Sequence, residues 1–560
     1  MSLAPALRDA TFAWLADEVD DTDRAELQAV LARAMAGDAA ATEELADRLA
    51  GPLTFGTAGL RGPVRAGPNG MNRAVVIRTT AGVAAWLAAQ GHSGGVVVVG
   101  RDARHGSEAF CADTAAVFAA AGFDVRVLPG PLPTPVLAFA VRRLGAVAGV
   151  QITASHNPPA DNGYKLYDNT GGQIVPPTDQ LIEAAIEGVP AARSVLRAPE
   201  SAWTVLDDQI VDDYFDRVAA LPCGTVRQLR IALTPMHGVG GATAVEALRR
   251  AGFTDVRVVR VQAAPDPDFP TVSFPNPEEP GATDELLALA REIDADLAIA
   301  LDPDADRCAL GVRDGENWRM LRGDESGALL GGYVLSTVDD STPDPLVATT
   351  IVSSSLLAAM AAARGVRYAE TLTGFKWLVR AGDGHGTGLV FAYEEALGLC
   401  VDPESVRDKD GISAAVAAAD LAAATRAAGR SLIDILDELA AEHGLHRTEQ
   451  ISLRFTELSR IGALMAKIRA NPPVELAGIA VTTEDLLPEA DVLRLRGKES
   501  GTGTDLGNGA GIRVVVRPSG TEPKLKAYLE VVIPAGTQGA GAAATDLTDR
   551  LRDDVNALLS

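Results

Sequence analysis

Basic side chains are in deficit: 50 Lys and Arg stand against 75 Asp and Glu, a formal charge of −25 over 560 residues. Such a surface repels nucleic acid and anionic membrane, so general binding to either is disfavoured. Cysteine is scarce. Cys111, Cys223, Cys308 and Cys400 lie far apart with no CxxC spacing, which argues against a disulfide scaffold or a thiolate zinc site and fits a reducing compartment. Aromatics make up only 4 %, so the cores must be built from Ala, Val, Leu and Ile, with 55 Gly and 32 Pro marking turns. No run of about 18 apolar residues exists to span a bilayer. The first residues also lack the basic start and apolar stretch of a signal peptide. A soluble, cytoplasmic chain of three to four domains is the expectation, at about 150 residues per domain. The acid excess sets a condition: if the ligand is a phosphate, the cations must be gathered in a cleft against the overall field.

Residues 5 to 50 read as two helices, from Trp14, Leu15 and Val19 and then Leu27, Val30, Leu31 and Met35 at helical spacing. The intervening Asp17, Glu18, Asp20, Asp21 and Asp23 read as a solvated acidic turn rather than a metal site. From about residue 90 one pattern recurs three times. Its copies begin with the strands VVVVG (96–100), IALT (231–234) and LVATT (346–350). A helix and a second strand follow: FDVRVL (123–128), TDVRVVRV (254–261) and VRYAETL (366–372). The third strands are GVQI (149–152), LAIAL (297–301) and GLVFAY (388–393), and each runs into a polar loop: TASHNPP, DPDADR and EEALG. Apolar strands between helices predict mainly parallel sheets covered on both faces, in which ligands gather beyond the carboxyl ends of strands. Residues 408–445 predict two Ala-rich helices broken at Gly429, and the chain after about 447 reads as a smaller α+β domain.

The polar loops carry the chemistry. Ser155 follows an apolar strand in a Pro-rich turn, which suits an exposed nucleophile; a turn-capping Ser is the plain alternative. A triad built from Ser155 and His156 is disfavoured because adjacent side chains diverge, and no G-x-S-x-G elbow surrounds the Ser. Asp302, Asp304 and Asp306 alternate beyond a buried strand and would repel one another unless a cation joins them; all-oxygen ligands favour a hard ion such as Mg2+. Arg307 directly after them suits an anion beside that metal. Arg517-Pro518-Ser519-Gly520-Thr521-Glu522-Pro523-Lys524 combines the donors a phosphate dianion needs. The Gly-rich FGTAGLRG, with Arg61, is a weaker phosphate cradle because it matches neither G-x-G-x-x-G nor a Walker A loop.

TASHNPP, DPDADR, EEALG and RPSGTEP, in this order, resemble the α-D-phosphohexomutases, the phosphoglucomutases and phosphomannomutases. The resemblance runs from about residue 50 to the end. FGTAGLRG, NPPADNGYKLY, GFKW, DKDGIS and RPSGTEPKLK are most similar to the branch that also contains phosphopentomutases. It implies an α/β fold of three similar mixed α/β/α sandwich domains and a smaller C-terminal α+β domain around a central cleft. With a helical extension over 1–50, the domains fall at 51–208, 209–322, 323–445 and 446–560.

It also implies roles. Ser155 is the phosphoserine, and with Asp302, Asp304 and Asp306 it holds Mg2+. Arg307 contacts the phosphoserine region. Arg61 and Lys165 match positions that serve the reacting end and proton transfer; on charge chemistry Lys165 is the expected general base, at a pKa lowered by cationic neighbours. Lys376, Glu394 and Glu395 meet the sugar. Arg517, Ser519, Gly520, Thr521 and Lys524 grip the nonreacting phosphate. A sugar 1,6-bisphosphate is the intermediate and activator. Its turnover needs two phosphate sites at fixed separation, one reactive near Ser155 and one anchoring at Arg517, which a hinged fourth domain would grip and release. Where the family's sugar loop often reads Glu-x-Ser, this chain has Glu394-Glu395-Ala396, a missing hydrogen bond worth roughly 1 kcal/mol. The partner is a small phosphosugar, not nucleic acid or membrane, and the chain is a monomer or homodimer. The implied activity moves phosphate between C1 and C6 of glucose or mannose phosphates. A phosphopentomutase, a sugar 1,6-bisphosphate synthase and a noncatalytic sugar-phosphate binder are the alternatives.

Overall fold

The computed structural model describes the chain except for residues 1–2, 57–58, 340, 456–457, 500–508 and 520–523. It forms two compact units, 1–320 with 398–423, and 321–397 with 424–560.

In the first unit the N-terminal segment forms three helices, Pro5–Asp17, Asp21–Met35 and Ala39–Arg48, where the periodicity predicts two. The extra break falls where Gly37 takes φ +93° and the Asp38 carboxylate accepts the Ala41 N–H to start a new helix. Trp14, Leu27, Val30, Leu31 and Leu45 bury against Ile77 and Val117, which seats the segment on the first α/β layer. The acidic run is not simply a solvated turn. Glu18 is buried and accepts from Trp14 Nε1 at 3.0 Å, while Asp17 accepts the N–H groups of Ala192 and Arg193 at 2.8 and 3.0 Å.

The repeat is real in three dimensions. The first sheet orders its strands Leu60–Pro63, Asp161–Asp168, Ala148–Ile152, Val96–Arg101, Asp124–Pro131 and Thr204–Val205. The second runs Asn317–Met320, Cys308–Asp314, Leu297–Leu301, Arg230–Thr234 and Asp255–Val258. Each therefore places the first strand of its repeat between the third and the second, all parallel, and returns antiparallel after the third. In the second unit Leu346–Thr350 likewise lies between Leu389–Glu394 and Arg367–Thr371, all parallel. The central strands are covered on both faces, which is why they read as unbroken apolar runs: Val97, Val98, Val99 and all of Leu297–Leu301 are buried. One expected strand ends early, since Arg260–Gln262 is a short 3-10 turn.

Gly429, at φ +72°, ends the helix Gly411–Ala427, and Ser431 caps the next, Leu432–His443, by accepting the Asp434 N–H. The remainder of the second unit is an antiparallel six-stranded sheet with the helices Leu458–Ala470 and Ala540–Leu558 packed on it through Ile461, Met465, Ile468, Leu547, Leu551 and Val555. A buried charge network fastens this sheet to the third α/β layer. Glu530 pairs with Arg513 at 2.9 Å and accepts from Ser354 Oγ and the Ser355 N–H at 2.9 and 2.7 Å.

Candidate active site

The first unit brings the serine loop and the acidic loop together. Ser155 follows the strand Ala148–Ile152 in the left-handed region, at φ +52°. Its N–H donates to Thr153 Oγ1 at 2.9 Å and its Oγ donates to Asp302 Oδ2 at 2.8 Å. It is 1 % exposed, so the expected exposed nucleophile is in fact enclosed. Ser155 Oγ and His156 Nδ1 lie 3.2 Å apart, so these neighbours do not diverge as the sequence suggests. Burial, then Arg307 and Arg61, hold the imidazole well below its usual pKa and keep it neutral.

The DPDADR loop closes a strand whose five residues are all buried. Asp302, Asp304 and Asp306 are fully buried and offer carboxylate oxygens within 4.8 Å of one another. Burial, then the charges of Asp304 and Asp306, raise the Asp302 pKa well above the carboxylate range. Asp306 is displaced the other way: burial raises it, but Lys165, Lys409 and Arg307 outweigh that and keep it ionised. Asp304 Oδ1 and Asp306 Oδ1 are buried without a hydrogen-bond partner among the described residues. Orphaned, all-oxygen, like-charged donors of this kind fit a hard divalent cation, and the triad could hold a metal ion.

Lys165 lies on the antiparallel return strand, opposite Gln151. Its Nζ donates to Asp304 Oδ2 at 2.7 Å and to Asp306 Oδ2 at 2.6 Å, and it is fully buried. The expected lowering of its pKa is not found. Burial lowers it, but Asp304 and Asp306 outweigh burial and the cationic neighbours, and the amine is held above the usual lysine range. In this arrangement it is an ammonium that can give a proton. Arg61, on the adjoining strand Leu60–Pro63, donates from Nη1 to Asn157 Oδ1 at 3.2 Å. Arg307 faces Glu278 at 3.5 Å, and its N–H donates to Asp302 Oδ1 at 3.0 Å.

Several groups here escaped the sequence reading. Lys409 Nζ lies 3.3 Å from Asp306 Oδ2; its signal was DKDGIS, used only for resemblance. Thr134 Oγ1 donates to Asp304 Oδ2 at 2.5 Å. Gly238 and Gly240 press so closely on Pro303 and Ala305 that a Cβ at either would overlap the acidic loop. The glycines after IALT were the available signal. Arg104, beside the serine loop, carried no motif.

The second unit holds the remaining expected residues. Glu394 ends the strand Leu389–Glu394 and is buried. Glu395 is braced by its own layer: its N–H donates to Ser353 Oγ at 3.1 Å, and its carboxylate accepts from Thr350 and Ser353 hydroxyls at 3.3 and 3.2 Å. Lys376 lies on the short helix Phe375–Leu378, its Nζ 6.0 Å from the Trp377 ring centre. Arg517 and Lys524 flank one hairpin end, where the Ser519 N–H donates to the Lys524 carbonyl at 2.8 Å. Gly520 and Thr521 lie outside the described residues.

Comparison with known proteins agrees with this arrangement. Residues 52–192, 212–315 and 322–443 match the α/β/α domains I, II and III described as phosphoglucomutase/phosphomannomutase, and 479–539 match the C-terminal domain of the same description. A Haemophilus influenzae protein named "Probable phosphomannomutase" is 42 % identical over 82 % of this chain and 93 % of its own. A Schizosaccharomyces pombe protein named "Probable phosphoribomutase" is 33 % identical over 94 % of each chain. The crystal structure of a phosphoglucomutase/phosphomannomutase family protein from Burkholderia thailandensis shares the fold with a TM-score of 0.67, at 21 % identity over 90 % of this chain and 97 % of that one. The chain belongs to the phosphoglucomutase/phosphomannomutase family. It is an isomerase of that type, a phosphosugar mutase. No described helix is long and apolar enough to cross a membrane.

Proposed function

We propose that the enzyme moves phosphate between C1 and C6 of a hexose, with glucose phosphates first and mannose phosphates second, through a phosphoserine at Ser155 and a sugar 1,6-bisphosphate. The observation that carries this reading is the buried Ser155 hydroxyl donating to Asp302 at 2.8 Å beside two further buried carboxylates and an ammonium. Asp302, Asp304 and Asp306, with the phosphoryl group on Ser155, would hold Mg2+. When bound, Mg2+ supplies charge neutralisation to the phosphoryl oxygens.

The protein's own groups do the rest. Arg517, Ser519, Gly520, Thr521 and Lys524 take the substrate's existing phosphate, and Lys376, Glu394 and Glu395 orient the sugar. A free sugar hydroxyl attacks the phosphorus of phospho-Ser155. The new sugar O–P bond forms as the Ser155 Oγ–P bond breaks, and the hydroxyl proton passes through Lys165 to leave a neutral serine hydroxyl. In the return transfer Ser155 Oγ attacks the phosphorus at the other end of the bisphosphate. The Oγ–P bond forms as that sugar O–P bond breaks, and the Lys165 ammonium gives a proton to the departing sugar oxygen as it takes up the Ser155 hydroxyl proton. Arg61 and Arg307 offset the charge of the transferred group, since phosphoryl transfer asks for positioning and neutralisation above all.

A second reading, isomerisation of ribose or deoxyribose 1- and 5-phosphates, is favoured by the 33 % identity to the protein named phosphoribomutase and by Ala396, which denies the sugar one hydroxyl contact. Comparison of kcat/KM for glucose, mannose, N-acetylglucosamine, ribose and deoxyribose 1-phosphates, with and without catalytic glucose 1,6-bisphosphate, separates the readings. The hexose reading expects glucose 1-phosphate to lead and the bisphosphate to stimulate. A lead for ribose 1-phosphate favours the second reading, and stoichiometric consumption of an added phosphoryl donor removes both.

A further inference from the structure

Ser155 holds a backbone conformation that side-chain-bearing residues adopt at a cost, and something must over-determine it. The loop that follows the central strand Val96–Arg101 supplies that restraint. Arg104 is 4 % exposed, and its guanidinium is spent on main-chain carbonyls around the serine. Nη2 donates to the carbonyls of Ser155 and Asn157, both at 2.6 Å; Nη1 donates to those of Pro158 and Asp161 at 2.7 and 3.1 Å. The guanidinium is itself fixed. Its Nε lies 3.4 Å from Asp102 Oδ2, and its Cζ sits 4.9 Å from the ring centre of the buried Phe269. Asp102 in turn accepts the Arg104 N–H at 3.0 Å and the Ser107 hydroxyl at 2.6 Å.

We propose that Arg104 is the positioning residue of the nucleophile: its planar fork ties the Ser155 carbonyl to three others across the turn, fixing the left-handed serine so that Oγ points at Asp302. A planar five-donor group can serve four carbonyls at once, whereas the lysine ammonium, a point with three donors, cannot span them. The inference rests on the phosphoserine reading. A displacement of about 1 Å at a reacting group costs on the order of 100-fold in rate, so the effect belongs on the transfer step and not on capture of the sugar.

The test follows incorporation of label into the full-length protein from 32P-labelled glucose 1,6-bisphosphate with Mg2+ present. Arg104→Lys is expected to slow labelling roughly 100-fold, with the half-saturating bisphosphate concentration and the melting temperature nearly unchanged. Arg104→Ala is expected to be slower still and to regain much of the rate on addition of free guanidinium, a recovery a merely structural loss would not show. Labelling of Arg104→Lys at the wild-type rate, or a folded Arg104→Ala that guanidinium does not rescue, overturns the proposal. Should both Arg104 variants fail to fold, Phe269→Leu decides: slower labelling at an unchanged melting temperature supports the role, and the wild-type rate overturns it. The underlying reading is judged separately. If wild type takes up no label, or Ser155→Ala takes up as much as wild type, the phosphoserine itself is wrong and the Arg104 proposal falls with it.

Discussion

Two buried charge clusters in this protein are built on opposite plans. Around Glu530 in the second unit, opposite charges and donors are matched: Arg513 pairs with one carboxylate oxygen, while Ser354, Ser355 and His446 surround the other. Burial would raise the Glu530 pKa, but Arg513 and the His446 hydrogen bond outweigh it and bring it to about 2. Around Asp302, Asp304 and Asp306 in the first unit, three carboxylates crowd together, two oxygens stay orphaned, and Asp302 is pushed up rather than down. The residues that carry the second plan are also strained: Ser155 and Ala305 both have positive φ. A satisfied cluster fastens two layers of the second unit. An unsatisfied one is tolerated where a ligand or metal completes it.

The comparison can be broken at three points. Ser155→Ala has the largest expected effect: turnover falls at least about 10^4-fold, as for removal of a nucleophile, and no phosphoenzyme forms, while the melting temperature holds. Near-normal turnover in that variant would end the phosphoserine assignment.

Glu530→Gln probes the matched cluster. Removing the Glu530 charge from Arg513, which keeps Glu370 at 3.3 Å, costs roughly 2 kcal/mol of stability, read from denaturant midpoints. The sign of its pH dependence is fixed by the depressed pKa: the Glu530 contribution is full above the unfolded value of 4.5 and is lost as the pH falls toward 2. The wild-type protein should therefore lose more stability than Glu530→Gln on acidification through that window; parallel losses would contradict the matched-pair account.

Asp302→Asn has a smaller effect on stability than Glu530→Gln, and of the opposite sign. Relief of repulsion stabilises the metal-free protein by about 1 kcal/mol, while the Mg2+ concentration for half-maximal rate rises roughly 10-fold or more. An unchanged metal requirement would count against the acidic triad as the metal site.

The parts of the fold that were legible are those written in local pattern. Strand runs such as Leu297–Leu301 and the glycine break at Gly429 depend on neighbours in sequence, and they stand where the pattern puts them. The break at Gly37 has the same chemistry but was hidden by continuous helical spacing on both sides. The acidic run at 17–23 misled because polarity alone does not show which carboxylate meets Trp14 or a distant backbone N–H.

The site divides in the same way. Ser155 and the three aspartates stand out because their loops follow buried strands. Their electrostatics do not, since the bonds that set them join residues far apart: Lys165 is 139 residues from Asp304, and Arg104 is 51 from Ser155. The sequence by itself determined the threefold repeat, the acidic triad and the serine loop, because strand periodicity and turn chemistry are local. Only the tertiary structure decided that Lys165 is held as an ammonium, that Glu395 is braced by its own layer, and that Arg104 grips the serine turn. Burial and pairing at these distances fix pKa and orientation, and neither is a property of a residue taken with its neighbours in sequence.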